Sequence, residues 1–259
     1  MSYADILVDV GSNGVTTITI NRPEAGNKFR PETARELAAA LRDFAADSAA
    51  RVGILTGAGD KFFCIGGQHD PLTHFDAAHA MPIVDVYQLL DSIPKPIIAA
   101  VNGFAVGGGH ALQVMCDLSV ASENAVFRQV GPMVGSFDGG YGTWYLEDAI
   151  GRKRAKEMWY LNRKYSAAEA LTMGLVNEVV PAGKALDRAH ELAVELMTRS
   201  PLALAGLKAA FSARHSGVAG LSRITHDQLL TLYLSTEEAH ETSVAFAEKR
   251  SPDPSKTLR

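Results

Sequence analysis

Apolar and polar positions alternate between strand and helix periods through the first third of the chain. Ile6 to Val10 and Val15 to Ile20 each read as a strand, and the polar run Gly11 to Gly14 as the turn of a hairpin between them. Asn21-Arg22-Pro23 ends that unit. From 31 to 48 the apolar side chains Leu37, Ala40, Leu41, Phe44 and Ala45 recur with the spacing of one helix face. Arg51 to Thr56 predicts a third strand. Pro82 to Asp91 predicts a helix with Ile83, Val84, Val86, Leu89 and Leu90 as its apolar residues. Ile97 to Val101 and Leu118 to Ala121 predict two more strands. After residue 140 the period turns helical, over Leu146 to Arg163, Ala167 to Met173, Leu186 to Arg199, Pro201 to His215 and Leu221 to Lys249. One short strand, Val176 to Val180, interrupts the helices. Strand–helix units followed by a helical block predict an α/β core with a helical C-terminal part, divided here as 1–200 and 201–259. The polar tail from Ser251 is expected to be mobile.

Composition narrows the function classes. The chain has 259 residues, 47% hydrophobic and 21% charged, which places it among ordinary globular proteins. A net charge of −4 lacks the basic excess of a nucleic-acid binder. Ile97 to Cys116 carries no full charge, but Asn102, His110, Gln113 and four glycines make it too polar for a membrane span. It reads instead as a buried strand, a glycine-rich turn and a buried helix. The start, Met-Ser-Tyr-Ala-Asp, lacks the basic opening and apolar stretch of a secretion signal. Cys64 and Cys116 sit in apolar stretches, so no disulfide framework is expected and a reducing cytoplasm fits best.

Three segments could carry chemistry. Gly107-Gly108-Gly109-His110 lies between a strand and a helix, where glycine permits close backbone approach and the helix start offers N–H groups to an anion. Phe63-Cys64-Ile65-Gly66-Gly67-Gln68 follows the third strand and could supply a second N–H, making an oxyanion hole. Asp138, inside Gly135-Ser136-Phe137-Asp138-Gly139-Gly140, reads as a turn former or as an acid–base group. The spacing matches neither G-x-G-x-x-G nor G-x-S-x-G, so a dinucleotide fingerprint and a serine-hydrolase elbow are not supported. His69, His74 and His79, five apart, do not stack on one helix face, and no metal site is expected. Cys64 reads as a small buried apolar group.

Taken together, these segments resemble the crotonase, or enoyl-CoA hydratase/isomerase, superfamily. The matching strings are Ile20-Asn21-Arg22-Pro23, Phe63-Cys64-Ile65-Gly66-Gly67, Ala100-Val101-Asn102-Gly103 through Gly109, Cys116-Asp117-Leu118 and Ala170 through Asn177. The resemblance implies a spiral of ββα turns with a helical trimerisation region, and a homo-oligomer that is a trimer or a dimer of trimers. It also implies an acyl-CoA substrate whose thioester oxygen sits between the N–H groups of Gly67 and Gly108. No tightly bound cofactor is implied. Superfamily hydratases carry two glutamates, and the matching positions here are Ala111 and Gly131. Water addition needs both groups, so a standard hydratase is not expected.

Within the superfamily the chain is most similar to the 1,4-dihydroxy-2-naphthoyl-CoA synthases of menaquinone biosynthesis. The strings are Gly108-Gly109-His110, Gln129-Val130-Gly131-Pro132, Val134 through Gly142 and Glu157 through Leu161. That resemblance implies a carbon–carbon lyase or synthase closing a ring by an intramolecular Claisen condensation. Asp138 and Tyr233 match its catalytic pair, the tyrosine often being donated toward a neighbouring site. Asn27, Lys28, Arg30, Ile65, Gly66, Gln68, Thr143, Phe246 and Lys249 match positions that contact substrate or CoA. Members with glycine at position 131 use bound bicarbonate as the base, and the matching residues are Gln129, Gly131 and Trp159, the glycine leaving room for the anion. Val130 stands where such members have a threonine hydroxyl, and Gln68 where they have an aspartate. The stretch from His69 to Met81 is shorter and lacks their tyrosine, but offers His69, Asp70, His74 and His79, so a loop histidine is the other candidate base. Val130 is shared with a ring-opening branch similar to 2-ketocyclohexanecarboxyl-CoA hydrolase. A catalytically silent CoA-thioester-binding protein is the third reading.

Overall fold

The computed structural model describes residues 3–68, 82–213 and 230–256. The chain opens with the expected hairpin, β1 (Ile6–Val10) antiparallel to β2 (Val15–Ile20). Helix α1 (Pro31–Ala46) follows, burying Leu37, Leu41 and Phe44 on one face. Burial of three such side chains contributes roughly 5–9 kcal/mol before the entropy of ordering the chain is counted.

From there each turn of the chain gives one strand to each of two sheets. β3 (Val52–Gly57), β5 (Ile97–Val101) and β7 (Leu118–Ser122) join the large sheet; β4 (Phe62–Cys64), β6 (Phe104–Val106) and β8 (Val126–Arg128) join the small one. β9 (Lys164–Ser166) and β10 (Glu178–Val180) close the small and large sheets. The large sheet runs β1-β2-β3-β5-β7-β10, parallel from β2 onward, and the small one β4-β6-β8-β9. A right-handed crossover between parallel strands produces this spiral when repeated. The central strands β3 and β5 are buried at every position because both faces of the sheet are covered there. One face packs on the main core; on the other, Val52, Ile54, Ile98, Ala100 and Val120 meet Ala185, Ala189 and Ala193 of α7 (Ala185–Met197).

Buried asparagines fix the turn between β3 and β4. Asn102 Nδ2 donates to the carbonyls of Gly57, Gly59 and Phe62, and Asn27 Nδ2 to those of Ala58 and Phe62. The α/β class is the one the sequence implies, but four details differ. The small sheet went unread. The helix expected over Leu146 to Arg163 is two, α4 (Tyr141–Ile150) and α5 (Arg152–Leu161), divided at Gly151 with φ of 78°. The described part of the helix expected over Leu221 to Lys249 breaks between Thr231–Leu234 and Glu237–Ala247, where the Thr236 side chain caps the second piece by accepting from the Ala239 N–H. The tail is also anchored: Glu241 accepts from the Asp253 N–H at 2.8 Å and pairs with Arg250, which holds its carboxyl down at about 2. Among the described residues no helix is long and apolar enough to cross a membrane.

Candidate active site

The parallel pairing of β4 with β6, Cys64 opposite Ala105, carries two glycine turns to the same end of the small sheet. This is the carboxyl end of the strands, where open α/β sheets place their ligands. Gly66 (φ 94°) and Gly107 (φ 55°) adopt backbone angles that side chains oppose. A Cβ on Gly66 would lie 3.3 Å from the Gly108 nitrogen, and one on Gly109 only 1.9 Å from the Cys64 carbonyl oxygen. The two turns touch because these residues are glycine.

Both amides are presented rather than consumed. Phe29 bridges to Gly67: its N–H donates to Gly66 O at 3.0 Å, and its carbonyl accepts from the Gln68 N–H at 2.7 Å. Peptide direction alternates along extended chain, so the Gly67 N–H points away from Phe29. Helix α3 (Gly108–Met115) begins with Gly108, whose N–H falls in the first turn and has no carbonyl within the helix; the first helical bond runs from Ala111 N–H to Gly107 O. The positive end of α3 adds to the Gly108 donor. Phe29 flanks the pair, its ring atoms lying 3.2 Å and 2.7 Å from where Cβ atoms of Gly67 and Gly108 would be.

Asp138 is held beside this pair by the start of α4. Its Oδ1 accepts from the N–H groups of Gly140 at 2.9 Å and Gly142 at 3.2 Å. A Cβ on Gly142 would lie 2.5 Å from Asp138 Oδ2 and 3.0 Å from the Ala111 Cβ. Asp138 Oδ2 and Ala111 thus both border Gly142, and Ala111 is three residues beyond Gly108 on the same face of α3. Tyr233 meets the same loop in its own chain, with its ring 5.5 Å from that of Phe137. Burial pushes its hydroxyl pKa up, the Glu238 charge adds to this, and a hydrogen bond with Thr242 opposes it.

The other expected contacts divide. Asn27 is fully buried: besides its two donor bonds, its Oδ1 accepts from the Arg22 N–H, so its side chain is a structural pin rather than a CoA contact. Arg30 forms a fork with Asp5 at 2.7 and 2.8 Å, and this holds the Asp5 carboxyl below its usual range. Gln68 Oε1 accepts from Arg22, the Ile65 side chain packs on Gly26, and Thr143 Oγ1 donates to Gly140 O. The Lys28 carbonyl accepts from Arg22 Nη1. Phe246 and Lys249 are exposed at the end of the last long helix, whose Ala239 packs on Gly135. His69, Asp70, His74 and His79 lie outside the described residues.

Gly131 does not leave room for an anion. The 131–136 loop folds back through a bond from Ser136 N–H to Gly131 O, and a Cβ on Gly131 would lie 2.8 Å from Ser136 O and 3.1 Å from Phe137 Cα. The Gln129 side chain turns to His110 Nδ1 at 2.9 Å. Burial pushes His110 down to about 3, so it is neutral there. The Trp159 indole N–H is a buried donor without a hydrogen-bond partner among the described residues. Gln129 Oε1 and His110 Nε2 are likewise buried without a partner among the described residues, but the Ser136 carbonyl fills the space beside Gly131, so Gln129, Gly131 and Trp159 as placed do not fit bicarbonate. Burial also pushes Cys64 up to about 12, which keeps it a thiol, in line with the apolar reading.

Sequence reading missed Tyr87. It lies on α2 (Ile83–Ser92), buried, with its hydroxyl 3.4 Å from Gly108 O. The available signal was a hydroxyl-bearing residue in a helix otherwise read for its apolar positions.

The family model described as enoyl-CoA hydratase/isomerase matches residues 11–256. Among solved structures, an enoyl-CoA hydratase from Mycobacterium avium subsp. paratuberculosis K-10 superposes with a TM-score of 0.85 at 28% identity, over 97% of this chain and 99% of that one. A carnitinyl-CoA hydratase from Mycobacterium avium gives 0.82 at 31% identity, over 97% and 98%. A monofunctional enoyl-CoA isomerase from M. smegmatis gives 0.68 at 34% identity, over 79% and 90%.

Proposed function

The chain belongs to the enoyl-CoA hydratase/isomerase family, and on that premise we propose that it stabilises an acyl-CoA enolate and closes a ring by an intramolecular Claisen condensation. The observation that carries this reading is Asp138, held at the start of α4 by the Gly140 and Gly142 N–H groups, with its Oδ2 and the Ala111 Cβ both bordering Gly142; Ala111 stands where superfamily hydratases carry a glutamate. The N–H groups of Gly67 and Gly108 hold the thioester oxygen and stabilise the charge that develops on it. Asp138 takes the α-proton, leaving the enolate. The α-carbon attacks a second carbonyl carbon of the same acyl group, the new carbon–carbon bond forms, and the carbonyl electron pair moves to oxygen. Asp138 then returns its proton to that oxygen; the second carbonyl being a carboxyl group, the adduct breaks one C–O bond and loses water while the other oxygen re-forms a carbonyl that enolises, and Tyr233, at the same loop, orients the group. The carboxylate is regenerated, and no step passes through bicarbonate.

Ring opening of an alicyclic β-keto acyl-CoA is the second reading. It uses the same enolate in reverse, and Val130 favours it: its Cγ2 lies 3.5 Å from where a Gly107 Cβ would be, so an apolar group lines that turn. The exposed Leu202, Leu207 and Phe211 of α8 (Pro201–Ala213) support assembly with further copies of the chain.

Incubation with succinylbenzoyl-CoA, with and without bicarbonate, separates these readings. Naphthoyl-CoA absorbance should appear at the same rate in both. A rate that depends on bicarbonate contradicts the proton path through Asp138. No product, with hydrolysis of an alicyclic β-keto acyl-CoA, establishes ring opening. Binding of both thioesters without turnover of either identifies a silent binder.

A further inference from the structure

Phe29 belongs to one glycine turn through its backbone and to the other through its ring. Its N–H donates to Gly66 O and its carbonyl accepts from the Gln68 N–H, so its main chain moves with the Gly67 amide. Its ring crosses to the start of α3. Cε2 lies 3.2 Å and Cζ 3.6 Å from where a Gly67 Cβ would be, while Cζ and Cε1 lie 2.7 and 2.8 Å from where a Gly108 Cβ would be. One rim of one ring thus rests on both glycines at once. Arg22 ties the two sides of the backbone bridge, donating to the Lys28 carbonyl and to Gln68 Oε1. The ring itself packs against the main core. Neither its main chain nor its side chain is free to withdraw from the pair.

We infer that Phe29 is a positioning residue whose ring sets the placement of the Gly67 amide relative to the Gly108 amide. This rests on the reading above, in which those two N–H groups hold the thioester oxygen. Such donors stabilise a developing oxyanion when both stand about 2.7–3.1 Å from it, and a displacement of about 1 Å can cost about 10²-fold in rate. Glycine at 67 and 108 admits the ring, and the ring in turn holds both turns in place. A shorter apolar side chain would leave a space at the rim into which either turn can settle.

The test uses phenylacetyl-CoA labelled with 13C at the thioester carbonyl. Infrared spectroscopy of the bound thioester reads the grip on its oxygen, and loss of the α-proton NMR signal in D2O reads enolate formation. In the wild type the bound band should fall below its frequency in buffer and the α-protons should exchange. Phe29→Leu keeps an apolar side chain that ends short of the rim. Its bound band should lie closer to that in buffer and its exchange should be about 10²-fold slower, with Kd changed by less than about threefold. Gly108→Ala separates placement from packing. In the wild type its methyl overlaps the ring, so exchange slows. In Phe29→Leu the same methyl occupies the vacated rim, so exchange rises above that of Phe29→Leu alone and the band moves back toward the wild-type frequency. A Phe29→Leu protein with the wild-type band and exchange rate, whatever its Tm, overturns the inference, as does a double variant whose losses multiply. A wild-type band at or above its frequency in buffer overturns the amide-pair reading and this inference with it.

Discussion

Asp138→Asn lowers turnover of the ring-closure substrate by about 10²–10⁴-fold, the range for loss of a positioned acid–base group. The amide keeps an oxygen to accept from the Gly140 and Gly142 N–H groups, so the start of α4 and the Tm stay near those of the parent. What is lost is the ability to take a proton and return it. A companion variant separates position from identity. In Gly142→Ala the new Cβ would lie 2.5 Å from Asp138 Oδ2, the far end of a flexible side chain. The carboxylate must turn from its two N–H donors and the Ala111 Cβ, 3.0 Å from the new atom, must give, which offsets the gain of up to about 1 kcal/mol from replacing glycine by alanine. Gly142→Ala should therefore keep Tm near that of the parent while losing activity. Unfolding profiles and kcat for the two variants decide it: turnover at the parent rate in Asp138→Asn contradicts the assigned role.

Gly109→Ala has the largest expected effect on stability. Its Cβ would stand 1.9 Å from the carbonyl oxygen of Cys64 and 2.5 Å from the carbonyl carbon, both backbone atoms of β4. No rotamer relieves that overlap, so α3 and β4 must separate. Overpacking of this kind costs about 3 kcal/mol, which exceeds the helix-propensity gain and lowers Tm by roughly 10 °C. The same separation pulls the Gly67 and Gly108 amides apart, so activity falls further than stability. Gly206→Ala on α8 is the control, since nothing lies within 4 Å of its Cβ position, and it should be neutral or slightly stabilising. Differential scanning calorimetry of the two alanine variants gives the comparison; equal Tm values contradict the claim that glycine at 109 is what lets α3 meet β4.

Local pattern carried much of the fold. The hairpin β1–β2, the buried strand β5 and the helix α6 (Ala167–Met173) sit at the residues the periodicity marks, because each lies on or between large apolar surfaces. The small sheet was not legible: each of its four strands is three residues long, too short for a period, and they exist because the spiral brings them together. Gly151 divides α4 from α5 by a backbone angle that no apolar period reports. The glycine turns were legible as chemistry because a glycine run between strand and helix has few other uses.

Side-chain roles were less legible. Asn27 looks like a ligand contact in a string of residues, yet its amide holds turns from 22 to 62 in place. Gly131 suggests an open cradle, but the Ser136 carbonyl from five residues later fills that space. Tyr87 comes to Gly108 from a different helix, a contact between residues 21 apart in sequence. Each of these depends on tertiary contact, which composition and spacing do not carry.

The central claim is that the amides of Gly67 and Gly108 grip a thioester oxygen. Isotope-edited infrared spectroscopy of an acyl-CoA labelled with 13C at the thioester carbonyl tests it most directly. Two fixed donors polarise the carbonyl more than solvent does, so the bound band should lie at lower frequency than in buffer. A bound carbonyl absorbing at or above its frequency in buffer contradicts the account.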